Sequence, residues 1–434
     1  MKLEGNKVTK AQILLRELAF SEGDTILTTE WEVIKNTSRN NLLNTSLFNY
    51  VTIDTSMLTN INMRVIIKVE ERWYTWPMPI FELADRNFNV WWKSKDLSRT
   101  HYGFYLVRDN FRGRKESLSI RLRLGYSQQF SISYAIPYLN RKQKSGLRFA
   151  YSYTRSREVN VTSMNNEQVF FKDDTGYPRK HTSTDIVYSL RKGFYNQHAW
   201  MLRFNTYDIS DTLAALNEHY LGEGNKHLSF FTATYLFKHD RRNFKPYPLA
   251  GYYIDFEIVK HGLGFFTNHT TDVLYATGTV KWFKTLAPRW YTGASFGAKL
   301  SSAKRQPYAL QRGLGYGNAY VRSYELKVVD GQNFWLARAN IKFALVRPMI
   351  KKFAFIPAEK FNKISFASYL NVFMDAGYLM DKPDYYPNPL QNTILTGLGL
   401  GLDLVTYYDK VMRLEYAVSR FGEAGFFVHF TAPI

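Results

Sequence analysis

Two short motifs hold the residues best suited to specific chemistry. Val321-Arg322-Ser323-Tyr324 sets an arginine among apolar and small neighbours, and Phe373-Met374-Asp375-Ala376-Gly377 does the same for an aspartate. Charges in such surroundings need partners, and these two suit each other. A guanidinium is a planar fork of donors that one carboxylate fills with two parallel hydrogen bonds. The chemistry implied is the locking of one segment against another, not the making of bonds.

Other residue sets point to no catalysis. There is no cysteine, which excludes disulfides and cysteine-based metal sites. The nine histidines are scattered without zinc-site spacing, so no metal or cofactor is expected. Gly313-Leu314-Gly315-Tyr316-Gly317 and Gly397-Leu398-Gly399-Leu400-Gly401 lack the strand, loop and helix order and the Lys-Ser/Thr ending of a phosphate loop. No segment is read as a nucleophile elbow. The chain is expected not to be an enzyme. Its net charge of +20 would suit nucleic acid, but the Lys and Arg residues alternate with apolar ones instead of forming a stripe, so no nucleic-acid partner is expected.

The elements that must position Arg322 and Asp375 show a period of two. Leu118, Ile120, Leu122, Leu124 and Tyr126 share one face, and Ser119, Arg121, Arg123 and Gly125 the other. From residue 75 onward this alternation predicts sixteen strands, near 79–91, 101–109, 116–127, 130–138, 145–156, 184–193, 197–207, 227–238, 249–260, 272–283, 290–302, 333–346, 366–378, 393–406, 410–419 and 424–432. Aromatics reach 17%, and no apolar run is long enough for a membrane helix. Alternation, an aromatic excess and an even strand count predict an all-β membrane protein, a 16-stranded antiparallel transmembrane β-barrel, apolar outside and polar within. Loop lengths agree. Connections such as 157–183, 208–226, 303–332 and 379–392 are long and alternate with short ones at 194–196, 284–289 and 407–409. The basic stretch 347–365 breaks that rule.

Residues 1–74 differ. A strand at Lys2–Gly5, a helix over Lys10–Ala19 capped by Thr9, a second helix from Glu30 to about Thr45, and strands at Tyr50–Thr55 and Met63–Trp73 give the order β-α-α-β-β. No signal peptide is recognised, so the numbering is expected to begin at or within the mature protein.

The two motifs, the β-α-α-β-β order and the wording Glu4-Gly5-Asn6, Gly23-Asp24 and Leu43-Asn44-Thr45-Ser46-Leu47-Phe48 resemble the BamA/TamA (surface antigen D15-like) superfamily. Asp109-Asn110-Phe111-Arg112-Gly113 resembles a turn near its barrel start, and His239-Asp240-Arg241-Arg242 with Pro246, Pro248 and Gly251 an inner turn. The resemblance implies a POTRA domain at 1–74 in the periplasm and a barrel at 75–434 in the bacterial outer membrane. It implies that Val321, Arg322, Ser323 and Tyr324 fold into the lumen and lock onto Phe373, Asp375 and Gly377. Gly425, Phe426, Val428 and Phe430 resemble a final-strand signal, though the chain ends on Pro433-Ile434, and imply a weak seam between first and last strands. Val65, Ile67 and Val69 mark the POTRA strand expected to bind a partner. The implied function is insertion of client β-barrels or passage of polypeptide, with outer-membrane lipids, unfolded barrel clients or secreted polypeptide, and accessory lipoproteins or periplasmic subunits as partners. A two-partner-type secretion pore and a structural barrel subunit are the alternatives.

Overall fold

The computed structural model describes residues 1–431 except 58–61, 84–90, 94, 96–99, 141, 266–270, 303–305, 353–362, 381–387 and 407–409. The N-terminal unit has strands β1 (Lys2–Glu4), β2 (Phe48–Met57) and β3 (Met63–Glu71), with helices α1 (Ala11–Leu15) and α2 (Thr28–Leu43). This is the expected β-α-α-β-β order. Leu14, Leu42, Phe48 and Ile67 are fully buried at its core, because the apolar faces of the helices lie on the apolar face of the sheet.

Two expectations fail here. Thr9 does not cap α1. Lys10 holds that position without a side-chain cap, and Thr9 Oγ1 instead donates to Glu71 Oε1 at 2.6 Å. A nearby carboxylate accepts more strongly than it would lose by leaving the helix terminus open. β3 is also not free to receive a partner strand. It is the central strand of the order β1-β3-β2, parallel to β1 and antiparallel to β2, with Val65, Ile67 and Val69 buried. Both of its backbone edges are in use, so the outer edge of β2 is where a strand would add.

The remaining strands form a sixteen-stranded antiparallel sheet: β4 (Thr75–Leu83), β5 (Thr100–Phe111), β6 (Glu116–Gly125), β7 (Ser127–Ile136), β8 (Ser145–Ser156), β11 (Arg179–Lys192), β12 (Asn196–Ile209), β13 (His227–Asp240), β14 (Gly251–His261), β15 (Val273–Ala287), β16 (Trp290–Ser301), β17 (Asn333–Lys352), β18 (Lys363–Met380), β19 (Ile394–Val405), β20 (Val411–Ser419) and β21 (Ala424–Thr431). Each strand pairs with its neighbours in sequence, and β4 and β21 end the order. All sixteen expected strands are present. The first is placed four residues early, at 75 instead of 79, and 84–90 lie outside the described residues. The expected loop 157–183 contains a separate hairpin, β9 (Glu158–Met164) and β10 (Glu167–Lys172). Both ends of the inner stretch 347–365 are strand, since β17 runs to Lys352 and β18 starts at Lys363, and 353–362 lie outside the described residues. Pro433 lies outside the described residues.

The sheet has an apolar outside and a polar inside. Along β18, Val372 and Met374 are more than half exposed, while Asn371, Phe373 and Asp375 are buried. No helix of the described residues is long and apolar enough to cross a membrane. The strands carry the apolar surface, as a spanning sheet requires. The sheet curls about an interior. Tyr247, between β13 and β14, donates to Asp403 of β19 at 2.6 Å and packs on Tyr369 of β18.

The N-terminal unit sits on one rim, here called the inner one. Lys10 N donates to Gly113 O at 3.0 Å, and Asn44 Oδ1 accepts from Lys245 N at 3.1 Å. Gly113 has φ +70°, and any side chain there would overlap Val8 O. Only glycine lets this turn meet the N-terminal unit so closely. Glu17 receives both guanidinium arms of Arg191, at 2.6 and 2.8 Å, and the Tyr138 hydroxyl at 3.4 Å. Burial pushes the Glu17 carboxyl up, but the Arg191 hydrogen bonds and charge outweigh it and hold it below its ordinary value. Tyr74 and Tyr138, from the sheet side, complete the N-terminal core. At the outer rim the β9–β10 hairpin and α3 (Asp211–Leu216) form a second apolar cluster with Ala309, bringing Val159, Val161, Leu213, Tyr220 and Leu221 together.

Candidate functional site

The connection between β16 and β17 turns back into the interior. Val321 and Tyr324 are buried with Leu314, Leu336, Leu379 and Leu395, an apolar seat formed by the loop itself and by β17, β18 and β19. Between them Arg322 points at the wall. Its Nε reaches Asp375 Oδ2 at 2.8 Å and its Nη2 reaches Asp375 Oδ1 at 2.6 Å. Its backbone N–H adds a third bond to Asp375 Oδ2 at 3.1 Å. The remaining arm, Nη1, donates to Glu415 Oε1 of β20 at 3.1 Å. The guanidinium stacks 3.6 Å over the Phe373 ring. Asp375 is fully buried and Arg322 nearly so.

Local sequence explains the fit. Alternation puts Phe373, Asp375 and Gly377 on the inner face of β18. Gly377 leaves room for Val321, and a side chain at Gly397 would overlap the Arg322 carbonyl. Gly397 lies opposite Asp375 in the ladder, so the loop backbone rests on bare strand. Gly399 likewise admits the Phe373 ring. The glycine series 397–401 thus serves close approach. Ser323 has φ +86°, the left-handed region that penalises a side chain.

Sequence reasoning missed four residues of this site, Tyr320, Arg338, Glu415 and His429, and gave no role to Glu325, which closes the Val321-Arg322-Ser323-Tyr324-Glu325 motif. Glu415 shares Arg322 with Asp375. Arg338 of β17 stands 3.7 Å from Asp375 and donates to the carbonyls of Tyr320 and Asn318. His429 of β21 lies 3.3 Å from Glu415 and 3.5 Å from Glu325, with Tyr320 stacked on its ring. Tyr320 precedes the motif itself. Inward parity within strands 410–419 and 424–432 was the available signal for Glu415 and His429. Glu325, Glu415 and His429 are also the one described group with metal-type side chains gathered together, their ligand atoms within 4.8 Å of one another. Arg322 already supplies positive charge to that group.

The expected seam residues divide by face. Phe426 and Phe430 of β21 point outward and are 83% and 69% exposed, with Val428 half-buried between them. Gly425 accommodates the Phe427 ring. Phe427 points inward and packs with Phe373 and Ala417, beneath the Arg322 guanidinium. The last strand is therefore fastened to the loop lock through Phe427 and His429. Val65, Ile67 and Val69 are far from this site in the chain and lie in the N-terminal core.

Sequence reasoning also passed over Gly293-Ala294-Ser295-Phe296-Gly297, which has the letters of a nucleophile elbow. It runs straight through β16 with no following helix, pairing Ser295 with Lys281 and Arg338. It is wall, not elbow.

A family model described as the Omp85 superfamily domain matches residues 110–420, and a POTRA model described as surface antigen variable number repeat matches residues 1–72. Among solved structures, BamA from Haemophilus ducreyi lacking POTRA domains 1–3 is similar over 99% of this chain and 83% of its own, at 16% identity and TM-score 0.55. CdiB from Escherichia coli is similar over 99% and 76%, at 12% identity and TM-score 0.57. No curated protein matches the sequence.

Proposed function

This chain belongs to the Omp85 superfamily, with a POTRA domain ahead of its sheet, and from that premise we propose that it sits in a bacterial outer membrane, its POTRA domain in the periplasm, and inserts client β-barrels through the seam between β4 and β21. Family membership supports the broader role, barrel assembly or polypeptide translocation. One observation carries the choice of a lateral route: among the described residues β4 and β21 end the strand order while the interior is occupied by a loop held on Asp375 and Glu415. The POTRA domain lies across turns of the inner rim, and the β9–β10 hairpin covers part of the outer one.

An unpaired strand edge at membrane depth is costly, because lipid offers no hydrogen bonds. A client strand that adds to such an edge satisfies it and is aligned in the same step. On this reading the Arg322 lock keeps the wall beside the seam rigid while the seam exchanges partners. No bond-making residue takes part. Lipids and unfolded barrel clients are the partners, and the exposed edge of β2 is the place for an accessory periplasmic protein.

The test is reconstitution in liposomes, followed by addition of urea-unfolded outer-membrane barrels and measurement of folding by heat-modifiable mobility. Faster folding than in empty liposomes, lost in Arg322→Ala, supports insertion. Steady ionic conductance without acceleration supports the two-partner-type pore. Neither activity supports a structural subunit.

A further inference from the structure

We infer that the edge of β4 turned away from β5 is missing its hydrogen-bond donors near the inner rim, at Pro77 and Pro79, so that an incoming client strand pairs in full only with the outer part of this strand. The inference rests on the insertion reading for the identity of the partner, and on register alone for the gap.

In an antiparallel ladder, alternate residues turn both N–H and C=O toward the same neighbour. Asp109 N donates to Tyr74 O at 2.8 Å, so Tyr74 and Asp109 are a hydrogen-bonded pair. The register of β4 on β5 continues this as Trp76 with Val107, Met78 with Tyr105 and Ile80 with Gly103. Even-numbered residues of β4 therefore face β5. The other side of β5 agrees: Tyr126 N donates to Thr100 O at 3.1 Å, so its even residues face β6 and its odd residues face β4. Thr75, Pro77, Pro79 and Phe81 of β4 thus aim their backbone groups away from β5, at the seam.

Proline has no N–H. Two consecutive seam-facing positions hence offer carbonyls only. Both prolines and Met78 between them are exposed. Placed at 76 or 78 they would have broken the β4–β5 ladder, which runs without irregularity from Thr75 to Leu83. β21 differs. Ser419 N donates to Glu423 O, which sets odd residues of β21 toward β20 and Ala424, Phe426, Val428 and Phe430 toward the seam. None of these is proline.

β4 runs from the inner rim outward, so the gap lies at the end nearest the POTRA domain. A strand laid along β4 donates to the carbonyls of 77 and 79 but has two of its own carbonyls unanswered there. Pairing is complete only beyond Ile80. The surface fits an extended client strand arriving from the periplasmic side, held by its outer end and free at its inner end.

Hydrogen exchange in lipid nanodiscs tests this without any client. In the wild type, seam-facing amides of β21 are expected to exchange at least about tenfold faster than the amides of β20, as an incomplete ladder opens more readily. In Pro77→Val/Pro79→Val the restored donors are expected to slow β21 exchange about tenfold. The single variant Pro79→Val, expected to act in the same direction, guards against misfolding of the double variant, and heat-modifiable mobility reports folding of each. Equal protection of β20 and β21 in the wild type, or unchanged β21 exchange in folded variants, overturns the inference. Slowed exchange with no insertion activity in any form retains the donor gap and rejects the insertion reading.

Discussion

The two edges of the sheet are built in opposite ways. β21 is fastened inward: Phe427 packs under the arginine lock and His429 lies between Glu325 and Glu415. β4 is laddered to β5 along its length and fastened at its root, where Tyr74 enters the POTRA core and its hydroxyl donates to Leu47 O at 2.9 Å. Beyond that root come two prolines. Side chains reaching into the interior hold one edge, and the POTRA domain holds the root of the other. In a wall that exchanges partners, such asymmetry makes one edge the fixed template and the other the moving side.

The largest effect expected on this asymmetry is from Asp375→Ala. It leaves Arg322 with Glu415 as its one carboxylate partner and removes the carboxylate beside Arg338 in a buried site, where breaking a buried pair costs about 3–5 kcal/mol. Limited proteolysis should then cut within the loop 306–332 in folded protein, and β21 should lose the protection that sets it apart from β4. A loop that stays resistant would show that the apolar seat of Val321 and Tyr324 suffices.

Glu17→Gln acts on the other edge through the POTRA dock. Losing a charge-assisted bidentate pair that is mostly buried should cost about 2 kcal/mol. The pH dependence follows from the lowered carboxyl. Its stabilisation is fully present above the ordinary glutamate value of 4.5 and disappears as pH falls through the lower docked value. Cross-linking of the POTRA domain to the 193–195 turn should therefore fall with acid in the wild type and be less pH-dependent in Glu17→Gln.

Ser323→Gly should strengthen the lock by about 1 kcal/mol, because glycine holds φ +86° without strain. A higher urea midpoint for loop release would show it. The smallest change is expected from His429→Gln, which keeps a polar side chain near Glu415 and should cost under about 1 kcal/mol, read as modestly faster exchange in β21 alone.

Much of this architecture was legible in the chain. All sixteen strands could be placed because inward and outward residues alternate with the strand's own period of two, a local property. The Arg322–Asp375 contact was legible because each charge stands among apolar neighbours and needs a counter-ion, and the resemblance of the two motifs to the family's implied that they meet. The start of β4 was not, since the strand was expected from 79 and only the register shows that it opens at Thr75 with Pro77 and Pro79 facing away from β5. The β9–β10 hairpin was hidden in a long loop because its apolar residues pack on other outer loops instead of forming a long wall strand.

Side-chain period and the helix and strand order in the first 71 residues follow from the sequence alone, for they depend on neighbours along the chain, whereas the charge pairing of the lumen loop was implied by the family resemblance of its two motifs. The central place of β3, the reach of Glu415 and His429 to Arg322, the seat of the POTRA domain on the rim and the direction of the two prolines depend on register and on contacts across the interior. Those distances exist only once the sheet has curled, and no local pattern encodes them.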